Sequence, residues 1–290
     1  MAKAKIIVMS KNLLFFLCMF LATYSVAAQD YTWEIVSVDG SRTGCTAPSK
    51  NNIPEAVGSM NNGIYTAPNG TVYSKKSATA KAAGIVLEAQ DEMARVKDVI
   101  AYSTEEMVAA YPESSLSNWF VDLLMAKTAE LSGKKVDMGI VNFGGIRVDM
   151  PKGEIILDDL LSMFPFRNTL VYVEHTGKQI RNILEKMAAE YFQVLGGVKV
   201  VAEGGKLVSV EIGGEPLDDD KVYGLATISF LLKGGDGLTL DKDAVSVIQY
   251  KDVQIIDAVL EHVLAENAAG RPIEYKCDGR VVINDLKSVR

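Results

Sequence analysis

Apolar positions recur along this chain with two different periods, and the period changes mark its elements. Between residues 79 and 98, Ala82, Ile85, Val86, Ala89, Met93 and Val96 return every three or four positions. That spacing predicts one amphipathic helix with the stripe turned inward. It runs into residues 99–103, Val-Ile-Ala-Tyr-Ser, a predicted strand. A second helix opens after Pro112 with Ser114 or Ser115 as the cap whose side-chain oxygen serves the free first-turn amides. Leu116, Trp119, Phe120, Leu123 and Leu124 form its buried stripe, which Lys127 interrupts one turn later. Short apolar runs at 138–141, 170–173, 198–201, 207–212 and 221–227 read as strands, the third and fourth separated by a Gly204-Gly205 turn. Residues 176–190 predict a helix with Ile180, Ile183, Leu184 and Met187 inward. Another helix at 253–265 and strands near 272–275 and 281–283 close the chain. Helices and strands in this mixed order predict an α+β class.

Upstream of residue 77 the pattern weakens. A strand is predicted at 31–38, followed by turn-rich sequence with Asp39-Gly40, Asn61-Asn62-Gly63 and Asn69-Gly70, and short strands at 63–65 and 71–73. The first 28 residues have the three parts of a secretory leader. Lysines come first, then the apolar run 13–22, then Val26-Ala27-Ala28 before Gln29. The run is too short for a convincing membrane span, and Phe-Phe-Leu precedes Cys18 where a lipoprotein site needs small residues. The expected division is therefore a signal peptide at 1–28, an N-terminal extension at 29–76 and a domain at 77–290, exported to the periplasm or outside the cell, with no stable membrane span once the leader is removed.

At 290 residues and 48% hydrophobic content the chain has enough for a proper core. Its net charge of −7 argues against nucleic acid as a partner, since no basic surface is evident to replace phosphate counterions. Cys45 and Cys277 could pair in an oxidising compartment or remain two unrelated thiols, and their wide separation carries no metal-type spacing. Asp218 to Asp220 lacks the ligand spacing of a calcium loop and reads as a solvated turn.

The chemistry concentrates after the predicted strand at 138–141. It ends in Asn142, Phe143, Gly144, Gly145, Ile146 and Arg147, which puts an amide, close-approach backbone N–H groups and a planar guanidinium at one strand end. Farther on come a Pro-x-Gly turn, a short Leu-rich helix and Phe164-Pro165-Phe166. Taken singly, these are a tight turn, a structural Arg and a core Phe. A second stretch, Phe230-Leu231-Leu232-Lys233-Gly234-Gly235-Asp236-Gly237, is also by itself only a turn with an Asp.

The two stretches in this order resemble the C-terminal, substrate-recognising domain of the 5'-nucleotidase / UDP-sugar hydrolase family, and the likeness begins near Ala78. The family's usual forms are Asn-Gly-Gly-Gly-Ile-Arg, Leu-Pro-Phe and Phe-Leu-x-x-Gly-Gly-Asp-Gly. Here Phe143 replaces the first Gly and Phe164 the Leu, and the third form is complete. The helix after Pro112 resembles the family's Leu-Gly-Asn-Leu helix, with Ser117 for Gly and Trp119 for the second Leu. Pro112, preceded by Tyr111, stands where the family often has a substrate-binding Arg.

The resemblance implies a four-layer α/β/β/α sandwich. It implies that Phe166 and Phe230 sandwich a nucleobase, that Asn142 and the backbone at Gly144 meet the base edge, and that Arg147 and Asp236 hold ribose hydroxyls. Stacking of this kind is worth roughly 1–3 kcal/mol per base.

Family hydrolysis uses two metal ions held by Asp, His and Asn in a separate N-terminal domain. This sequence contains only His175 and His262, with no Asp-x-His, Asn-His or His-x-His, and no nucleophile elbow, Walker loop or dinucleotide fingerprint. No catalytic residue and no cofactor are therefore expected in this chain. Three functions remain. In a split 5'-nucleotidase, a separate phosphatase chain carries two divalent metals. A stand-alone protein could bind nucleosides or serve interactions alone. A self-sufficient hydrolase is the weakest, lacking ligands.

Overall fold

The computed structural model describes residues 52–285. The chain divides into two units, 1–47 and 48–290. The predicted leader, the strand at 31–38, Cys18 and Cys45 lie outside the described residues.

After a one-turn helix at Ile53–Ala56 come three short strands, β1 (Ser59–Asn61), β2 (Ile64–Thr66) and β3 (Val72–Tyr73), antiparallel in the order β1-β2-β3. The turns predicted at Asn61-Asn62-Gly63 and Asn69-Gly70 join them. Helix α1 (Ala78–Glu88) packs on β1 and β2, capped by Ser77 Oγ, which accepts from the Ala80 N–H at 3.1 Å.

Here one expectation fails. The predicted single helix at 79–98 breaks after Glu88 into a separate turn, Gln90–Met93, and a 3-10 turn, Ala94–Lys97. Its stripe is not buried: Ile85 is 71% exposed and Val86 48%. The sheet beneath α1 has strands of two and three residues, too small a surface to cover the stripe.

The central sheet is built from β5 (Met138–Val141), β7 (Thr169–Thr176), β8 (Val194–Gly196), β12 (Val222–Ile228) and β13 (Ser246–Gln254). These five strands lie in the order β13-β7-β12-β5-β8. Every residue of β5 and β8 is buried, as are six of the seven in β12. Such strands read as continuous apolar runs rather than alternating ones. Helix α2 (Ser115–Ser132) packs on β5, β7, β8 and β12, and α5 (Ile255–Ala268) lies beside it. Ser114 caps α2, its side chain and that of Ser117 serving each other's backbone N–H groups. The predicted stripe of α2 is buried in full.

A second sheet comprises β9 (Val198–Glu203), β10 (Lys206–Ile212), β11 (Glu215–Pro216) and β14 (Val281–Ile283), in the order β11-β10-β9-β14. Helix α4 (Gly177–Ala189), capped by Thr176, packs against both β7 and β10. Strands β4 (Val99–Ser103) and β6 (Gly153–Ile156) pair with each other, and α3 (Leu157–Met163) follows directly. The α+β class expected from the sequence is the one observed. Near 272–275 the expected strand reduces to one bridge, Ile273 to Ser103. Pro272 has no N–H to offer a ladder, and the Tyr275 hydroxyl is bonded to Asp122 at 2.5 Å.

Candidate functional site

Three strands of the central sheet end together. β5 runs parallel to β12, with Met138 opposite Leu225 and Gly139 opposite Ala226. β7 runs antiparallel to β12, with Leu170 opposite Ile228. The C-terminal ends of β5 and β12 and the N-terminal end of β7 therefore share one edge of the sheet. The segments leaving that edge are the ones singled out in the sequence: Asn142 to Arg147 after β5, Phe166 before β7, and Phe230 to Gly237 after β12. Hydrogen bonds tie the last two. Ser229 Oγ accepts from the Thr169 N–H at 3.1 Å and donates to Asn168 Oδ1 at 3.3 Å. Thr227 Oγ1 donates to the Ile140 carbonyl at 2.8 Å, fastening β12 to β5.

The Phe-Pro-Phe segment divides its rings. Phe164 is buried and stacks on Phe120, centroids 4.3 Å apart, while Phe166 is 46% exposed. Phe166 lines a small cleft together with Asn142, Gly145, Asn168 and Ile228. Phe230 is 44% exposed at the start of the turn after β12. Gly235 lies directly against it: a Cβ there would fall 2.2 Å from the Phe230 carbonyl oxygen and 2.7 Å from the ring. Only a glycine leaves the room that this ring and its backbone occupy.

Asn142 is buried, and its Oδ1 has no hydrogen-bond partner among the described residues. A buried acceptor left alone costs about 1–3 kcal/mol. The following turn folds over it so closely that a Cβ on Gly145 would come within 2.8 Å of that oxygen. Arg147 is exposed. Its backbone N–H donates to the Met163 carbonyl at 3.0 Å, and among the described residues its Nη1 reaches only the Gly144 carbonyl, at 3.4 Å. Asp236 is exposed in the left-handed region, with φ 46° and ψ 37°. Asn142, Gly144 and Arg147 thus share one turn, Phe166 adjoins it, and Phe230 and Asp236 lie on the next.

Histidines contribute nothing at this edge. His175 is buried in β7 with Nε2 bonded to the Leu240 carbonyl at 2.9 Å and Nδ1 to Gln179 Oε1 at 3.3 Å. His262 packs its ring near Trp119, and burial holds its pKa below the usual histidine value. Among the described residues no cluster of three or more His, Cys, Asp or Glu could hold a metal ion. No described helix is long and apolar enough to cross a membrane.

Residues 94–243, half of the chain, match the family described as 5'-nucleotidase, C-terminal domain. The chain belongs to this family. Protein UshA of Yersinia enterocolitica is 32% identical over 167 residues, which cover 55% of this chain and 29% of that protein. The trifunctional nucleotide phosphoesterase YfkN of Bacillus subtilis is 29% identical over 187 residues, 58% of this chain and 12% of that protein. Among solved structures, a 5'-nucleotidase precursor of Thermus thermophilus superposes with a TM-score of 0.63 at 26% identity, covering 72% of this chain and 44% of that one. The chain spans less than a third of the length of these curated relatives.

Beside this candidate site of the 5'-nucleotidase C-terminal domain lie residues that the motifs did not assign to it. Asn168 lines the cleft beside Phe166. Tyr111 and Tyr191 stack at 4.3 Å, and the Phe143 ring meets both, at 6.1 and 6.2 Å. Burial pushes both tyrosine hydroxyls above their usual pKa, so they stay neutral. Phe143 therefore points into an aromatic group rather than lying loose in the glycine turn. The departures at Tyr111-Pro112 and Phe143 were visible in the sequence, but nothing there announced that Tyr191 would join them.

Proposed function

We propose that this chain is an exported nucleotide- or nucleoside-recognition module of a phosphoester-hydrolysing system. Phe166 and Phe230 stack the base from its two faces. Asn142, with its unpartnered Oδ1, and the Gly144 backbone meet the base edge, while Arg147 and Asp236 hold the ribose hydroxyls. The observation that carries this reading is the pair of half-exposed phenylalanine rings on hydrogen-bonded neighbouring segments, beside a buried amide oxygen without a partner. Exposed aromatic faces suit bases because every base has a π face. The exposed carboxyl group of Asp236 offers acceptor oxygens to a diol.

The described residues lack a donor set for a metal pair. In this proposal two divalent metals and the hydrolytic step belong to a separate phosphatase chain, and no step is assigned to residues of this one. The leader-like first 28 residues support the export part of this reading.

The test is calorimetric titration of the protein with adenosine and AMP. Saturable binding is expected, and the Phe166→Ala, Phe230→Ala double variant weakens it by about 2–3 kcal/mol while leaving the melting temperature nearly unchanged. Absence of binding by the wild-type protein, alone and with a metal-dependent phosphatase added, overturns the reading in favour of an interaction module.

A further inference from the structure

The two turns proposed to grip the ligand, 142–147 and 234–237, leave different strands, and one element touches both. The C-terminal end of α4 and the residues after it run from Lys186 to Gln193. On one side, buried Gln193 accepts the Phe143 N–H on Oε1 at 3.2 Å, and Tyr191 meets the Phe143 ring edge-on. On the other side, Lys186 Nζ donates to the Gly237 carbonyl. A Cβ placed at Gly237 would lie 3.6 Å from Lys186 Nζ and 3.9 Å from Glu190 Oε2. Gln193 holds one turn through its backbone, and Lys186 holds the other through its backbone. The last turns of α4, which carry Lys186, are anchored by Leu184 and Met187, both buried.

Such an arrangement does more than fill space. Each gripping turn is short, glycine-rich and partly exposed, at Gly144 and Arg147 on one and Asp236 and Gly237 on the other, so left alone each would lose conformational freedom on meeting a ligand. Side-chain bonds to the turn backbones, one from the last turn of α4 and one from the residue before β8, remove that loss beforehand. Tyr191 adds the lateral contact that stops Phe143 from turning, with Tyr111 stacked behind it.

We propose that the Lys186–Gln193 segment is a positioning brace that holds the 142–147 and 234–237 turns in one mutual register. Its residues act through the turns and need not touch the ligand. The brace rests on the proposed nucleoside site only for its effect on binding; its effect on the turns stands by itself.

Amide hydrogen exchange of the whole chain separates these levels, because local opening is read segment by segment. Tyr191→Ala, a change at a residue 46% exposed, is expected to speed exchange about tenfold in both turns and to leave β7 and β12 unchanged. Tyr191→Phe keeps the ring and is expected to exchange like the wild type. Lys186→Met is expected to loosen both turns as well. Faster exchange confined to the turn nearest each substitution, or no change, overturns the brace. Adenosine titration of the same variants is expected to show about fivefold weaker binding for Tyr191→Ala and wild-type affinity for Tyr191→Phe. If the wild type binds no adenosine, the proposed function fails and the exchange data still decide the brace.

Discussion

Arg280 and Arg147 are treated in opposite ways by the same fold. Arg280 is 7% exposed and paired on every side. Asp122 receives Nη1 and Nη2 at 2.8 and 2.9 Å, Asp278 receives Nε and Nη2 at 2.9 and 2.7 Å, and the Leu195 carbonyl also accepts from Nη1. Glu113 completes that corner by accepting the backbone N–H groups of Gly279, Arg280 and Val281. Burial alone would favour losing the proton from Arg280, but its two carboxylate partners outweigh burial and raise its pKa. Arg147 is exposed and reaches a single carbonyl at 3.4 Å. Near it, Asn142 keeps an oxygen buried and unpartnered. The contrast separates polar groups that hold the fold from the polar groups at its edge that the proposed function assigns to a ligand.

The sharpest way to break this comparison is to swap the outcome at its closed end. Arg280→Met leaves Asp122 and Asp278 without their cation, and because both carboxylates are partly exposed, stability is expected to fall by about 2–3 kcal/mol in urea unfolding. Arg147→Met is expected to leave the unfolding midpoint unchanged and to weaken only nucleoside binding, by calorimetry. Gly235→Ala lies between the two. Its new methyl meets the Phe230 carbonyl, so the turn has to shift, with about 1–3 kcal/mol lost in thermal unfolding and weaker adenosine binding besides. Asn142→Leu removes the orphan oxygen, so stability is expected to hold or rise by up to about 1 kcal/mol while adenosine affinity drops. A fall in stability comparable to that of Arg280→Met would place Asn142 with the closed corner instead.

The smallest effect concerns acid. Bonds from Lys134 and Ser246, partly opposed by desolvation, hold the Glu174 carboxyl below its usual 4.5. A carboxyl depressed in the folded state adds stability above its unfolded pKa and loses it as pH falls through the folded value. Glu174→Gln is therefore expected to lower stability by about 0.2–1 kcal/mol at pH 7 and to converge with the wild type once the pH has fallen through the depressed folded value.

What the sequence disclosed depended on whether the deciding contacts were local. The capped helix at 115–132, the buried strand at 138–141 and the inward stripe of α4 all follow from spacing within one element, and they appear nearly as expected. The Asn142, Phe166 and Phe230 segments were legible because motifs hold them. β13 was not, since Val247 and Ile248 are both partly exposed on an edge strand and present no alternation. The stripe of α1 misled for the converse reason: its period is helical, but the element beneath it is too small to bury it. Tyr191 joins Tyr111 from eighty positions away and Arg280 joins Asp122 from 158. No local pattern encodes such pairs.

The meeting of three strand ends at one sheet edge also bears on when the site exists. The Thr227 bond to Ile140 spans 87 positions and the Thr169 bond to Ser229 spans 60, so neither forms until distant parts of the chain have found each other. Closing such long loops is what slows folding in proteins with non-local pairing. The candidate site therefore has no early, partial version. A ligand seated there selects completed molecules, raises their share by mass action and turns binding into a count of chains that have finished folding.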